Sequence, residues 1–275
     1  MLVNGRAAAG VDPGDRGLHY GDGVFETIAL RSGCLCLWAR HMARLAGAAA
    51  RLGLAPPDPA LLQREAEMAR QGQNEGVIKI LLTRGVGGRG YRPSAMAPAT
   101  RIIASYPPPD YPAHVWREGV RLRWCQTRLA RQPALAGLKH LNRLEQILAR
   151  REWEDPDIHE GLMCDEQGRV IEGTMSNLFV VQDGVLLTPA LDHCGVQGVV
   201  RALVLERARE MGWPARECDL DVAAVEQACE LFVTNSLIGI WPVSRLGPRR
   251  YAIGVRTQAL CRVLFKEMKI SPQDE

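Results

Sequence analysis

The sequence predicts an α+β chain in two domains. Strand-like runs come in groups with helical stretches gathered between them, not in the strict alternation of a doubly wound sheet. The length of 275 residues exceeds what one domain usually holds. The segment Pro107-Pro108-Pro109-Asp110-Tyr111-Pro112 can join neither a ladder nor a helix, so it runs extended and marks a boundary. The expected division is a small N-terminal α/β domain over 1–106, a proline-rich linker over 107–113 and a larger C-terminal domain over 114–275.

Val24 to Leu30 and Cys34 to Leu37 flank Arg31-Ser32-Gly33, which reads as a hairpin whose glycine supplies a positive φ. Met42, Leu45, Ala49 and Leu52 then recur at helical spacing until Gly53, with His41 and Arg44 on another face. A helix over Ala60 to Arg70, a strand over Val77 to Leu82, a flexible loop over Gly85 to Gly90 and a strand over Arg101 to Tyr106 complete the first half.

The second half opens with a strand over Val120 to Thr127, a long loop to Lys139, and an amphipathic helix carrying Leu144, Ile147 and Leu148. Strands at Gly161 to Asp165, Val170 to Ile171, Asn177 to Val181 and Val185 to Thr188 are punctuated by Glu166-Gln167-Gly168 and Asp183-Gly184, giving a mostly antiparallel meander. Helices at Gly198 to Met211 and Val222 to Ala228, a strand at Glu230 to Thr234 and a helix at Val255 to Lys269 close the chain.

Composition excludes several classes of function. A net charge of +3, from 34 basic against 31 acidic residues, gives no polyanion-binding surface, so nucleic acid is not an expected partner. No run of about 18 apolar residues and no leader-like N-terminus occur, so no membrane partner is expected either. Eight dispersed cysteines fit reduced thiols in a cytoplasm, and Cys34 and Cys36 read as core packing, because no second pair completes a zinc site. His19, His140 and His193 lack metal-ligand spacing, so the expected metal set is none.

Lysine occurs only at 79, 139, 266 and 269. A nucleophilic amine must be partly desolvated to be neutral near pH 7. Lys266 and Lys269 share a solvated helix with Glu267, and Lys79 alternates with apolar neighbours as a snorkelling strand residue does. Lys139, in Leu138-Lys139-His140-Leu141-Asn142, is the suitable candidate, with a structural salt bridge as the competing reading. Glu172 follows Val170-Ile171 and precedes Gly173-Thr174-Met175-Ser176-Asn177; it is either a carboxylate buried against a cation or an exposed turn glutamate. Gly195 to Arg201 puts glycines before a helix, which suits an anion on open amides, those of Val199 and Val200, but also suits a simple cap. Thr234-Asn235-Ser236 could complete such a cup. Gly85 to Gly90 satisfies G-x-G-x-x-G, yet Tyr91-Arg92-Pro93 stands where a phosphate-binding helix should begin. A substrate loop bearing Arg89 and Tyr91 and a plain glycine-rich hairpin remain the two readings.

Taken in order, Asn4-Gly5, Asp15-Arg16-Gly17, Tyr20 to Thr27, His41-Met42-Ala43-Arg44-Leu45, Lys139, Glu172 to Asn177 and Gly198-Val199-Val200-Arg201 resemble the class IV pyridoxal-phosphate enzymes. The resemblance implies the two-domain D-amino acid aminotransferase-like fold, the cofactor pyridoxal 5'-phosphate bound in the C-terminal domain, and a homodimer. It implies Lys139 as the Schiff-base lysine, Glu172 on the pyridine nitrogen, Arg44 on the phosphate with Val199, Val200 and Ser236, and Asn177 in the cofactor-binding set. Arg84 to Tyr91 and Lys139 to Gln146 resemble the branch of that class that cleaves 4-amino-4-deoxychorismate to 4-aminobenzoate and pyruvate. For that reaction Lys139 is expected to serve as base and then acid, and the substrate-binding set is expected to be Arg89, whose planar guanidinium matches a carboxylate, with Tyr91 and Asn142. The alternative is a class IV aminotransferase acting on D-amino or branched-chain amino acids. Branched-chain aminotransferases of the class usually carry threonine where Val200 stands and tyrosine near Leu144, and those hydroxyls are absent here.

Overall fold

The computed structural model describes residues 1–93 and 98–271. The chain divides into two compact units, one of Met1–Pro109 with Leu138–Asn142, the other of Asp110–Gly137 with the chain from Arg143 on. The break after Pro109 falls inside the expected linker. The division expected from sequence, however, leaves Lys139 in the second domain, whereas its segment joins the first unit. The cause is pairing: Phe25 N–H donates to Lys139 O at 3.0 Å and Leu141 N–H to Gly23 O at 3.0 Å, so five residues run along a first-unit strand.

The first unit holds β1 (Leu2–Val3), β2 (Arg6–Ala7), α1 (Arg16–Tyr20), β3 (Gly23–Arg31), β4 (Cys34–Leu35), α2 (Trp38–Arg51), α3 (Pro59–Arg70), β5 (Gly76–Thr83) and β6 (Thr100–Tyr106). Its strands form one antiparallel sheet in the order β2-β1-β6-β5-β3-β4. Alternation divides the sheet: Val24, Ile28, Ile78, Ile80 and Leu82 are buried, while Phe25, Thr27, Lys79 and Leu81 on the other face are half-buried. α2 lies on β3 and buries Met42, Leu45 and Ala49, worth roughly 1.5–3 kcal/mol for each large side chain. The hairpin turn has positive φ at both Ser32 and Gly33, and β4 is only two residues long. Cys34 is therefore exposed and only Cys36 is buried, which corrects the reading of both as core.

The second unit holds α4 (His114–Glu118), β7 (Val120–Trp124), α5 (Leu144–Arg150), β8 (Ile158–Cys164), β9 (Val170–Gly173), β10 (Asn177–Gln182), β11 (Val185–Pro189), α6 (Val199–Glu210), β12 (Ala215–Cys218), α7 (Val222–Gln227), β13 (Glu230–Asn235), β14 (Gly239–Leu246), β15 (Arg249–Arg250) and α8 (Val255–Met268). Strands follow the order β12-β11-β10-β13-β14-β7-β8-β9, and β9 pairs back to β10 through Asn177 opposite Glu172. Of the expected meander, β8, β9 and β10 are thus part of a closed ring of six strands with β13, β14 and β7, while β11 pairs on the outside of β10. Closure removes open edges. Leu122, Leu162, Leu178, Val233 and Trp241 belong to one buried cluster of this unit, and α6 and α8 pack on β13 and β14.

Candidate active site

In the first unit the expected site residues gather around β3. Lys139 is half-buried with its Nζ 4.4 Å from the centre of the Phe25 ring. Lys79, set aside as a strand residue in the sequence, stands opposite Thr27 in the β3–β5 register and brings its Nζ to 5.4 Å from the same ring. Two of the four lysines thus share one aromatic ring, a geometry that attracts cations. Strand alternation could have revealed this, since Phe25, Thr27 and Lys79 occupy the less buried face together. Asn142 is exposed and its Nδ2 donates to Gly21 O at 3.3 Å. Arg89 and Tyr91 lie exposed on the loop after β5, with Tyr91 edge-on to Tyr20 at 5.6 Å.

Arg44 projects from α2 onto Glu26. Its Nε and Nη2 donate to the two carboxylate oxygens at 2.8 and 2.6 Å, and His41 Nδ1 meets Glu26 Oε2 at 2.6 Å. Burial pushes the Glu26 carboxyl up, but Arg44 and then His41 outweigh it and hold it at about 2. His41 moves the other way from a simple ion-pair partner: burial lowers it more than Glu26 raises it. We therefore read a neutral imidazole that donates from Nδ1, with Arg44 as the counter-charge. Glu26 was missed in the sequence, although a charged residue at the buried parity between Val24 and Ile28 is a signal for such a pair.

In the second unit, register does the positioning. Glu172, Asn177 and Thr234 are consecutive partners across β9, β10 and β13, so their side chains leave one face of the sheet in a row. Glu172, 4% exposed, accepts from Val196 N–H at 2.8 Å, and Asn177 Nδ2 donates to Val196 O at 2.8 Å. The exposed-turn reading of Glu172 is thereby excluded. Both side chains clasp the turn that leads into α6, and glycine is required there: a Cβ on Gly198 would lie 2.0 Å from Asn177 Oδ1. Thr174 and Ser176 serve a different carboxylate. Fully buried Glu160 accepts from both hydroxyls and from the Thr174 and Met175 amides, which shapes the turn between Glu172 and Asn177.

α6 starts at Val199 with Gly198 as N-cap and no side chain capping it, so its first-turn amides carry the partial positive charge of a helix start. Val199 and Val200 are buried there. On β13, Thr234 Oγ1 is buried without a hydrogen-bond partner among the described residues, and half-buried Ser236 follows two residues on. A buried acid, open helix amides and an orphaned hydroxyl in one unit form a donor set with the chemistry to hold a protonated heterocycle and an anionic group. Among the described residues no cluster of three or more metal-ligating side chains occurs.

Comparison with known proteins shows the family of the chain. The chain is 39% identical to the aminodeoxychorismate lyase of Vibrio harveyi over 245 residues, 88% of this chain and 89% of that protein. A crystal structure of 4-amino-4-deoxychorismate lyase from Pseudomonas aeruginosa shares 49% identity and superimposes with a TM-score of 0.92, covering 96% of this chain and 98% of that one. The branched-chain amino acid aminotransferase of Escherichia coli superimposes at 0.82 with 25% identity, covering 96% and 92%. The model of the amino-transferase class IV family matches residues 23–246, a span that takes in β3, Lys139, Glu172 and the start of α6; the chain belongs to that family.

Proposed function

We propose that the chain is a pyridoxal-phosphate-dependent lyase that converts 4-amino-4-deoxychorismate to 4-aminobenzoate and pyruvate, a step toward folate. The observation that carries this reading is the 49% and 39% identity to two lyases over most of the chain, above the 25% and 31% shared with a branched-chain aminotransferase and a putative one. The buried acid, the uncapped helix start and the orphaned Thr234 hydroxyl suit the cofactor.

In this reading Lys139 would hold the cofactor covalently, Glu172 would pair with its pyridine nitrogen, and the Val199 and Val200 amides, Ser236 and Arg44 would hold its phosphate. Asn177 fixes the turn before α6. When bound, the cofactor supplies an electron-withdrawing ring, strongest with its pyridine nitrogen protonated, and Glu172 keeps that proton in place. The substrate amine would take the place of Lys139 on the cofactor, and the Lys139 amine so freed would take a proton from the substrate ring carbon and return it to the oxygen of the departing enolpyruvyl group. One residue is base and then acid, so the proton never has to be exchanged with solvent. Lys139 as a structural ion pair predicts no trapped adduct. Borohydride reduction followed by peptide mapping, with 4-aminobenzoate and pyruvate measured in the absence of any keto acid, tests both halves of the proposal. An adduct on another residue, or a requirement for a keto acid, would overturn it.

The substrate carries two carboxylates, and the cations offered for them are Arg89 and Lys79, with Tyr91 and Asn142 as further substrate contacts. Arg89→Ala and Lys79→Ala are each expected to raise KM about 10- to 100-fold, the loss of a charge-assisted pair. Steady-state kinetics that leave KM and kcat unchanged would remove the residue from the site.

A cytoplasmic homodimer completes the reading. Leu144, Ile147 and Leu148 stand on one side of α5 at 72%, 54% and 51% exposure, a stripe that a second copy would cover. Sedimentation of an Ile147→Asp, Leu148→Asp double variant is expected to show monomer where the parent chain shows dimer; a monomeric parent would end the proposal.

A further inference from the structure

The motif Asp15-Arg16-Gly17 and the acid Asp22 have no part in the chemistry above, yet they build one of the most fully bonded polar sites in the first unit. The Arg16 side chain is 5% exposed. Its Nε donates to Asp22 Oδ2 at 3.0 Å, its Nη1 to Gly90 O at 2.8 Å and its Nη2 to Tyr91 O at 3.0 Å, with the guanidinium 4.8 Å from the Tyr20 ring centre. The fork therefore grips two successive carbonyls of the loop after β5. The loop is gripped elsewhere too. Arg16 N–H donates to Gly85 O at 2.9 Å, Gly87 N–H to Gly14 O at 3.3 Å, and Gly90 N–H to Tyr20 Oη at 3.2 Å.

Two glycines of the segment, Gly85 and Gly87, are required by this packing. A Cβ on Gly87 would lie 2.8 Å from Arg16 Cδ, and one on Gly85, at φ +84°, would lie 2.1 Å from Pro98 O. Asp22 in turn is bound by Arg84 through Nε at 2.7 Å and Nη2 at 3.0 Å, while Arg84 also donates to the carbonyls of Leu52 and Gly53 at the end of α2. Burial opposes the Asp22 charge, but Arg84 and Arg16 outweigh it and keep the carboxyl lowered. Asp15 Oδ2 accepts from Thr83 Oγ1 at 2.9 Å, and Thr83 Oγ1 accepts from Gly85 N–H at 3.0 Å, tying the loop's first residue to the same motif.

From this we infer that Arg16 is a positioning residue that latches the loop of residues 85–91 onto α1 through the carbonyls of Gly90 and Tyr91, and so sets where Arg89 and Tyr91 stand. Its fork is matched to consecutive backbone acceptors, which a single ammonium is not. The inference rests on the proposed substrate role of Arg89 for its functional consequence, and on geometry alone for the latch.

Limited trypsin digestion reads the latch without any catalysis, because Arg89 is exposed and followed by Gly90 whereas Arg92 is protected by Pro93. In the cofactor-loaded enzyme, Arg16→Met is expected to speed cleavage after Arg89 about 10- to 100-fold, as two charge-assisted bonds are lost and the loop opens more often. The KM is expected to rise about tenfold, with the cofactor's absorption band retained. Gly87→Ala, which leaves Arg16 in place but drives a methyl group against its stem, is expected to reproduce both effects and covers the case in which Arg16→Met does not fold. Unchanged cleavage after Arg89 in folded variants overturns the latch. Faster cleavage with unchanged KM upholds the latch and removes Arg89 from substrate binding.

Discussion

Lys139→Ala is expected to lower kcat by about 10³- to 10⁴-fold, the range removed with a residue that is both general base and general acid. Two features of its surroundings set this expectation. Its backbone is held along β3 by the bonds at Phe25 and Leu141, so truncation of the side chain leaves the segment in place. Its ammonium lies 4.4 Å from the Phe25 ring centre, with that of Lys79 at 5.4 Å from the same ring, so the amine stands on the face where a cation is offered to the substrate. Lys79 enters the same face from β5, opposite Thr27. The measurement is single-turnover release of 4-aminobenzoate, with a borohydride-trapped adduct present in the parent and missing in the variant. Added methylamine is expected to restore part of the rate, since it supplies the missing base without the covalent tether. Activity within tenfold of the parent would assign the proton transfers to another group.

Much of the fold was legible because local patterns and tertiary structure agree. α2 and α3 follow their apolar spacing, and Asp58 caps α3 by accepting from Ala60 N–H. What stayed hidden depends on pairing between distant segments. β14 went unread because Pro242 interrupts its pattern, although it pairs with both β13 and β7, with a register shift one residue later. Lys139 was placed with the second domain because its five-residue excursion into the first has no signal in composition. At the site, the residue types of Lys139, Glu172 and the glycines before α6 could be read, each against a plain structural alternative. The supporting carboxylates could not: Glu160 shapes the Thr174–Ser176 turn from β8 and Glu26 binds Arg44 from β3, and both act across contacts that only folding creates. The helix with Leu144, Ile147 and Leu148 was read as amphipathic, but its apolar side is exposed in the single chain, so periodicity located the stripe and not what covers it.

Glu172→Gln separates the charge of this residue from its structural bond. The carboxylate accepts from Val196 N–H at 2.8 Å, and glutamine offers a carbonyl oxygen of the same reach, so the turn clasped with Asn177 is expected to persist. What disappears is the negative charge, and with it the preference for a protonated pyridine nitrogen. A charge-assisted bond of about 1.5–3 kcal/mol corresponds to roughly a 10- to 150-fold change, and the loss is expected in kcat with KM nearly constant. Glu172→Ala goes further, because it strips the Val196 amide of its acceptor and leaves a void beside Ile171 and Leu191, both packed near Gly195. Cofactor loss and a lowered unfolding midpoint are expected in the alanine variant only. The discriminating measurement is therefore the pair: kcat for both, cofactor retention and thermal unfolding for both. If glutamine matched the parent in kcat, the electron demand of the cofactor would not depend on this acid, and Glu172 would be a positioning residue for the turn before α6. If glutamine shed the cofactor as readily as alanine, the single bond to Val196 would be too weak a support for the turn, and its stability would have to come from Asn177 and the Glu160-built turn beside it.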